Sequence, residues 1–319
     1  MNSRNHINMK CNSALLLSGV IAASAFSAET PLTTLPPPTA ADVPYGTHAR
    51  QKLDFYKAKS GKPTPVLFVI HGGGWTCGDK GSEVGLINPL AYLNVGISIV
   101  SINYRYVWQA QQAGVKPPVK APLEDAARAL QLVRSKAKEW NLDKARICVM
   151  GGSAGGCSSL WLTFHDDMAD SKSADPVARE STRPLCAAVL DAQTSLDPKQ
   201  MKEWTPNSRY GGHAFGFERD TNFDEFLAHR EELLPWIMEY SPYELVTKGD
   251  PPVYLIYTAP PRLGRDAQDP THTANFGVKF QERCQERGVE CELVYPGAPN
   301  VKHVSLEQYI LAMLGESKK

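Results

Sequence analysis

Several features are missing from this chain, and each absence narrows the reading. Close metal-ligand pairs of cysteines are lacking: Cys77, Cys148, Cys157, Cys186, Cys284 and Cys291 show no C-x-x-C spacing, so the sequence offers no cysteine-built metal site. An excess of either charge is lacking, with 34 Lys+Arg against 34 Asp+Glu, which gives no support for a nucleic acid or a charged membrane surface as partner. No internal repeat is visible. The apolar stretch Ala14–Ala25 is shorter than the roughly 20 residues needed to span a bilayer. The glycine run Gly151-Gly152-Ser153-Ala154-Gly155-Gly156 has no following lysine and lacks the G-x-x-x-x-G-K-[ST] spacing of a phosphate loop.

What is present suits one large α/β domain: 319 residues, 42% hydrophobic and 21% charged. Arg4 and Lys10 precede Ala14–Ala25, and small residues follow at cleavage-site spacing (Ala23-Ser24-Ala25, Ala25-Phe26-Ser27). This layout reads as a secretory signal peptide over 1–28, with a secreted or periplasmic protein expected and no stable membrane insertion. Cys11 stands before the apolar run, where lipid attachment at a cleavage site is not served. Residues 29–44, with Pro36-Pro37-Pro38, read as an extended linker, leaving 45–319 as the folded domain.

Within that domain strand-like and helix-like runs alternate. Strands are expected at 53–57, 66–70, 97–102, 146–150, 186–190, 253–257 and 291–295. Helices are expected at 123–140, where Leu123, Ala126, Ala127, Leu130, Val133, Ala137 and Trp140 recur at helical spacing, and at 154–165, 273–287 and 305–314. The alternation implies a mostly parallel sheet with helices on both faces. Cys148, Cys157 and Cys186 read as small core residues. Cys284 and Cys291 flank a helix-to-strand turn, where an oxidising compartment would permit a bridge. About 193–242 breaks the rhythm as an aromatic-rich, cap-like insertion (Trp204, Tyr210, Phe215, Phe217, Phe223, Phe226, Trp236, Tyr240). Two readings stand for it, a pocket-lining cap and a helical excursion packed on the core.

Two glycine-rich turns carry the chemistry. Gly151-Gly152-Ser153-Ala154-Gly155 lies between a strand and a helix, with glycines two before and two after the serine. That is the pattern of a nucleophile elbow, a turn tight enough to thrust the hydroxyl above the sheet. Upstream, His71-Gly72-Gly73-Gly74-Trp75 follows the buried run Val66–Ile70. Consecutive glycines leave backbone N–H groups free to face a cavity, the donors that an oxyanion needs.

On these two motifs the chain resembles the α/β-hydrolase superfamily in its HGGGW-type esterase branch, nearest to bacterial carboxylesterases related to feruloyl and acetyl-xylan esterases. Ser101-Ile102-Asn103-Tyr104-Arg105, Glu124-Asp125-Ala126 and Asn141–Arg146 look like further stretches of that family, and the resemblance runs from about Tyr45 to the C-terminus. It implies an α/β-hydrolase fold, Ser153 as nucleophile, the N–H groups of Gly73, Gly74 and Ala154 as oxyanion hole, and His71 as a shaper of its loop. The family order of Ser, acid, His puts the base after the last strand, where His303 is the only histidine. The acid is expected after the strand at 253–257, where Asp269 is placed first and Asp266 second, with Asp191 after the earlier strand at 186–190 third; the usual His-Gly-x-x-Asp pattern is absent after 253–257. Asp269 alternatively caps the following helix. His272 and His213 read as loop or substrate contacts, or as packed or solvated side chains. The function expected is a secreted serine hydrolase that cleaves carboxylic esters through an acyl-enzyme, without cofactor or metal, on a small or polysaccharide-linked ester. An amidase of kynurenine-formamidase type and a non-catalytic binding protein are the alternatives.

Overall fold

The computed structural model describes residues 36–218 and 223–315. The chain divides into two units, Met1–Thr34 and Leu35–Lys319, and the described residues belong to the second. The signal peptide expected over 1–28 and the first part of the linker lie outside the described residues.

Eight strands form one sheet among the described residues: β1 (Ala40–Pro44), β2 (Lys52–Tyr56), β3 (Thr64–Ile70), β4 (Ser98–Ile102), β5 (Leu142–Gly152), β6 (Cys186–Leu190), β7 (Val253–Ile256) and β8 (Cys291–Val294), in the order β1-β2-β4-β3-β5-β6-β7-β8. β2 runs antiparallel to β1 and β4, and every pair from β4 to β8 is parallel. The helices are α1 (Lys80–Leu86), α2 (Pro89–Asn94), α3 (Val107–Gln112), α4 (Lys120–Ser135), α5 (Ala137–Trp140), α6 (Ala154–Phe164), α7 (Pro198–Trp204), α8 (Phe223–Ala228), α9 (Arg230–Tyr240), α10 (Pro242–Leu245), α11 (Asn275–Arg287) and α12 (Leu306–Leu314). This is the α/β-hydrolase fold. The expected linker ends earlier than its proline content suggests, because Ala40–Pro44 already pairs with β2 as the edge strand. The expected helix at 123–140 is two helices, α4 and α5.

The sheet is buried on both faces because its central strands carry apolar runs such as Val66–Ile70 and Ile147–Met150. Successive β3 side chains alternate: Val66, Phe68 and Ile70 join the core beneath α4, α6 and α11, while Leu67 and Val69 join the opposite core beneath α1, α2 and α12. Each such side chain contributes about 1.5–3 kcal/mol by leaving water. Cys148, Cys157 and Cys186 are buried in these cores. Cys284 and Cys291 are free thiols, and their mutual hydrogen bond, with burial, pushes the Cys291 thiol up.

The aromatics of the insertion are largely buried. Trp204, Tyr210, Phe215, Phe223, Phe226 and Tyr240 are buried in the main core, with Phe217 and Trp236 packed against it.

One ion pair gives two sequence motifs a shared physical reason. Asp125 on α4 is 1% exposed and accepts Arg105 Nε and Nη2 at 2.6–3.1 Å, the Arg105 amide at 2.8 Å and Gln51 Nε2 at 2.7 Å. It fixes the exit of β4, which leads to the loops at the carboxyl ends of the strands. Replacing one partner of a buried, hydrogen-bonded pair strands the other charge. Asp125→Ala is therefore expected to lower unfolding stability by about 3–5 kcal/mol, read as a reduced urea midpoint at pH 7.

Candidate active site

The elbow is built by the absence of side chains. Ser153 sits between β5 and α6 at φ 51°, ψ −122°, a left-side conformation that costs of order 1–3 kcal/mol and persists only where the surroundings impose it. A Cβ at Gly155 would lie 2.1 Å from the Ile70 carbonyl oxygen, and one at Gly151 would lie 2.5 Å from it. The end of β3 therefore touches the elbow backbone directly, and the loop that follows β3 begins beside Ser153.

That loop, residues 71–78, is held by its carbonyls. The Gly72 oxygen accepts His71 Nδ1–H at 2.8 Å and Tyr104 O–H at 3.1 Å. The Gly73 oxygen accepts the amides of Thr76 and Cys77 at 3.0 and 3.2 Å. The Gly74 oxygen accepts His213 Nε2–H at 2.9 Å. A trans peptide points its N–H opposite to the carbonyl it shares a plane with. Each anchored carbonyl thus turns the next amide, of Gly73, Gly74 and Trp75 in turn, the other way. Gly73 and Gly74 adopt φ 95° and 60°, values that glycine reaches without steric cost. Trp75 is buried and donates Nε1–H to Ser158 Oγ on α6 at 2.9 Å, tying the loop to the elbow helix. The Ala154 amide opens α6, where the first N–H groups have no intrahelical partner.

Side chains complete the arrangement. Ser153 Oγ lies 2.9 Å from His272 Nε2, and His272 Nδ1 lies 2.8 Å from Asp269 Oδ2. The other Asp269 oxygen accepts the amides of Thr271 and His272 at 3.0 and 3.3 Å. Its bond to His272 holds the Asp269 carboxyl below the usual carboxylate range. An ionised Asp269 fixes the proton on Nδ1, leaving Nε2 bare to accept the serine proton. The loop carrying both residues is pinned from outside: Gln193 Nε2 donates to the Thr271 carbonyl at 2.7 Å, and Asn275 binds Arg262 N, Trp204 O and Thr205 Oγ1 at 2.6–2.9 Å. Two further carboxyls lie close. Burial raises Asp191, which accepts the Thr258 amide at 3.1 Å and interacts electrostatically with His272 and Asp269. Burial also raises Glu83, against the pull of the Gly72 and Gly152 amides.

With this geometry in place, the comparison with known proteins is decisive: residues 53–260 match the family described as BD-FAE. The chain belongs to the BD-FAE family. It is 24% identical over 241 residues to an esterase of Gibberella moniliformis, which covers 75% of this chain and 66% of that protein. It is 29% identical over 149 residues to a versiconal hemiacetal acetate esterase of Dothistroma septosporum, covering 46% of this chain and 41% of the relative. The chain thus spans between about two fifths and two thirds of the length of these relatives. A solved acetyl ester-xyloside bifunctional hydrolase from Caldicellulosiruptor lactoaceticus superposes with a TM-score of 0.60 at 26% identity, over 82% of this chain and 87% of that one.

In this BD-FAE chain Ser153 and Asp269 stand on either side of one histidine, but that histidine is not His303. His303 Nδ1 is held by the Glu292 carboxylate at 2.9–3.0 Å, its ring stands edge-on to Tyr309, and its carbonyl accepts Tyr254 O–H at 3.0 Å. Tyr254 and Tyr309 belong to the core beneath α12, so the loop after β8 folds back along the sheet and ties its histidine to a strand residue. The histidine at Ser153 is His272, three residues after Asp269 on the loop after β7. The sequence reading makes it a loop or substrate contact, or a packed or solvated side chain, and not the partner of Ser153. The available signal was the Asp-x-x-His spacing in a loop that departs from the family pattern. Of the two loop aspartates, it is Asp269 that meets His272.

His71 shapes the loop, as the resemblance implied. It is 1% exposed, stacks on Tyr104 at 4.1 Å and meets Arg50 Nη2 at 3.4 Å. Burial lowers it from 6.5 to about 4, opposed by the Gly72 carbonyl and assisted by Arg50. Between those two values the unfolded chain binds the proton and the folded chain does not, so stability falls as pH falls through this window. The loss should approach about 3 kcal/mol by pH 4. Urea unfolding at pH 7 and pH 4 should show a smaller difference for His71→Gln than for the parent protein.

Proposed function

We propose that this protein hydrolyses carboxylic esters by a serine mechanism. The observation that carries the reading is the unbroken hydrogen-bonded chain Ser153–His272–Asp269 at 2.9 and 2.8 Å, beside amides whose direction is set by anchored carbonyls. Ser153 Oγ attacks the ester carbonyl while its proton passes to His272 Nε2. The amides of Gly73, Gly74 and Ala154 receive the negative charge that develops on the carbonyl oxygen. His272 then protonates the leaving alkoxide, and an acyl group remains on Ser153. Water, activated by the same Nε2, releases the acid and restores the serine. Asp269 keeps the imidazole in the required tautomer and balances the imidazolium charge.

Short acyl esters are the favoured substrates, because the similar proteins named above include an acetate esterase and an acetyl ester-xyloside hydrolase. A secreted or periplasmic protein remains the reading of the segment Arg4–Ser27.

Hydrolysis of p-nitrophenyl acetate tests these assignments. Ser153→Ala and His272→Asn should each lose on the order of 10⁴-fold or more in kcat/KM, whereas His303→Asn should retain activity within about threefold. A large loss in His303→Asn with His272→Asn active would return the base to the loop after β8. Asp269→Asn should lose on the order of 10⁴-fold, against little change in Asp266→Asn; the reverse ranking would move the acid to Asp266. Covalent labelling by a fluorophosphonate should be confined to chains that keep Ser153.

A further inference from the structure

The 198–242 segment does more than pack. Its 3₁₀ turn Gly212–Phe215 is bounded by Gly211 and Gly216 at φ 109° and 98°, which reverses the chain twice and drives His213 inward. His213 is 5% exposed. It stands edge-on to Tyr210 at 4.8 Å and against Trp75 at 5.9 Å. Its Nε2 lies 2.9 Å from the Gly74 carbonyl oxygen. A carbonyl only accepts, so Nε2 carries the proton and donates it. The neighbouring backbone is also tied, since the Val119 amide donates to Ala214 O at 3.0 Å. The turn is therefore fixed to the helical layer as well as to the glycine loop.

The consequence concerns the Gly74–Trp75 peptide. Gly74 is at φ 60° and Trp75 at φ 54°. Two successive residues with positive φ, one of them a bulky tryptophan, form an unfavourable backbone that the surroundings must impose. On one side Trp75 is anchored by its indole to Ser158. On the other, the bond from His213 is the named restraint on the carbonyl of this peptide. Rotation of that peptide would change ψ of Gly74 and φ of Trp75, re-aim the Trp75 amide and release the loop backbone that carries the Gly73 and Gly74 amides. Resting on the esterase reading, we propose that His213 is a positioning residue: the insertion reaches across to hold the oxyanion loop in the geometry that the transition state requires. It does not touch the reacting atoms.

Such a restraint acts where charge develops, so it belongs to kcat more than to KM. The test compares His213→Leu, which keeps apolar bulk but donates nothing, with His213→Gln, whose amide nitrogen reaches about as far as Nε2. Thermal melts report whether each variant is folded. With p-nitrophenyl acetate, His213→Leu should lose about 10- to 100-fold in kcat with KM changed less than about threefold. His213→Gln should recover most of that loss. Inhibition by a boronic acid, which forms a tetrahedral adduct on the serine, should weaken in His213→Leu in proportion to kcat/KM. Equal losses in the Leu and Gln variants, a change confined to KM, or unchanged boronate affinity would each overturn the proposal. A parent protein without esterase turnover, or a Ser153→Ala variant that retains it, would instead overturn the esterase reading, and this proposal with it.

Discussion

The structure depends on a place where two backbones touch with no side chain between them. Ile70 ends β3 with its carbonyl oxygen against Gly151 and Gly155, at distances where no Cβ fits. β3 and β5 are neighbours in a parallel sheet, so their carboxyl ends finish side by side. A wider separation would put the 71–78 loop out of range of the serine. The close approach places the start of the glycine loop beside the serine. Everything else in the site elaborates on that contact. Trp75 locks the first loop to α6 through Ser158, and Tyr104 and His71 hold its carbonyls. Arg50 joins the Tyr104 and Gly78 carbonyls and stacks on Tyr106.

The same principle, loops held by buried hydrogen bonds, governs where the imidazole stands. A histidine after the last strand is one solution to presenting a base over the elbow. Here the loop after β7 is long enough to carry both carboxylate and imidazole, and Gln193 and Asn275 fold it over Ser153. The histidine of the loop after β8 joins Glu292 and Tyr309 in a structural cluster on the other core. An i, i+3 pair has a physical merit: the Asp269 carboxylate and the His272 imidazole share one short turn, so their mutual geometry does not depend on how two separate loops are placed.

Much of this was legible from residue patterns. Apolar runs such as Val66–Ile70 and Cys186–Leu190 mark strands because a strand buried on both faces needs no polar alternation. The glycines around Ser153 mark a close approach of backbones where no Cβ fits, and Gly73 and Gly74 mark a turn at positive φ. The edge strand Ala40–Pro44 was hidden by neighbouring prolines, since an edge strand can include proline at little cost. The aromatics of the insertion were ambiguous because a residue that fills a core and one that lines a pocket look alike in sequence.

By itself the sequence determined the α/β architecture, the elbow serine and the glycine loop, because these rest on local conformational demands written in adjacent residues. The family resemblance put Asp269 first as the acid, with Asp266 in reserve. Only the tertiary structure decided which histidine meets Ser153 and which one steadies Gly74. His272, His303 and His213 are chemically identical, and each is assigned by the path of a long loop. Those paths are set by partners distant in sequence, namely Gln193, Glu292 and Gly74. Pairings of that kind arise from packing in three dimensions, and no spacing along the chain encodes them.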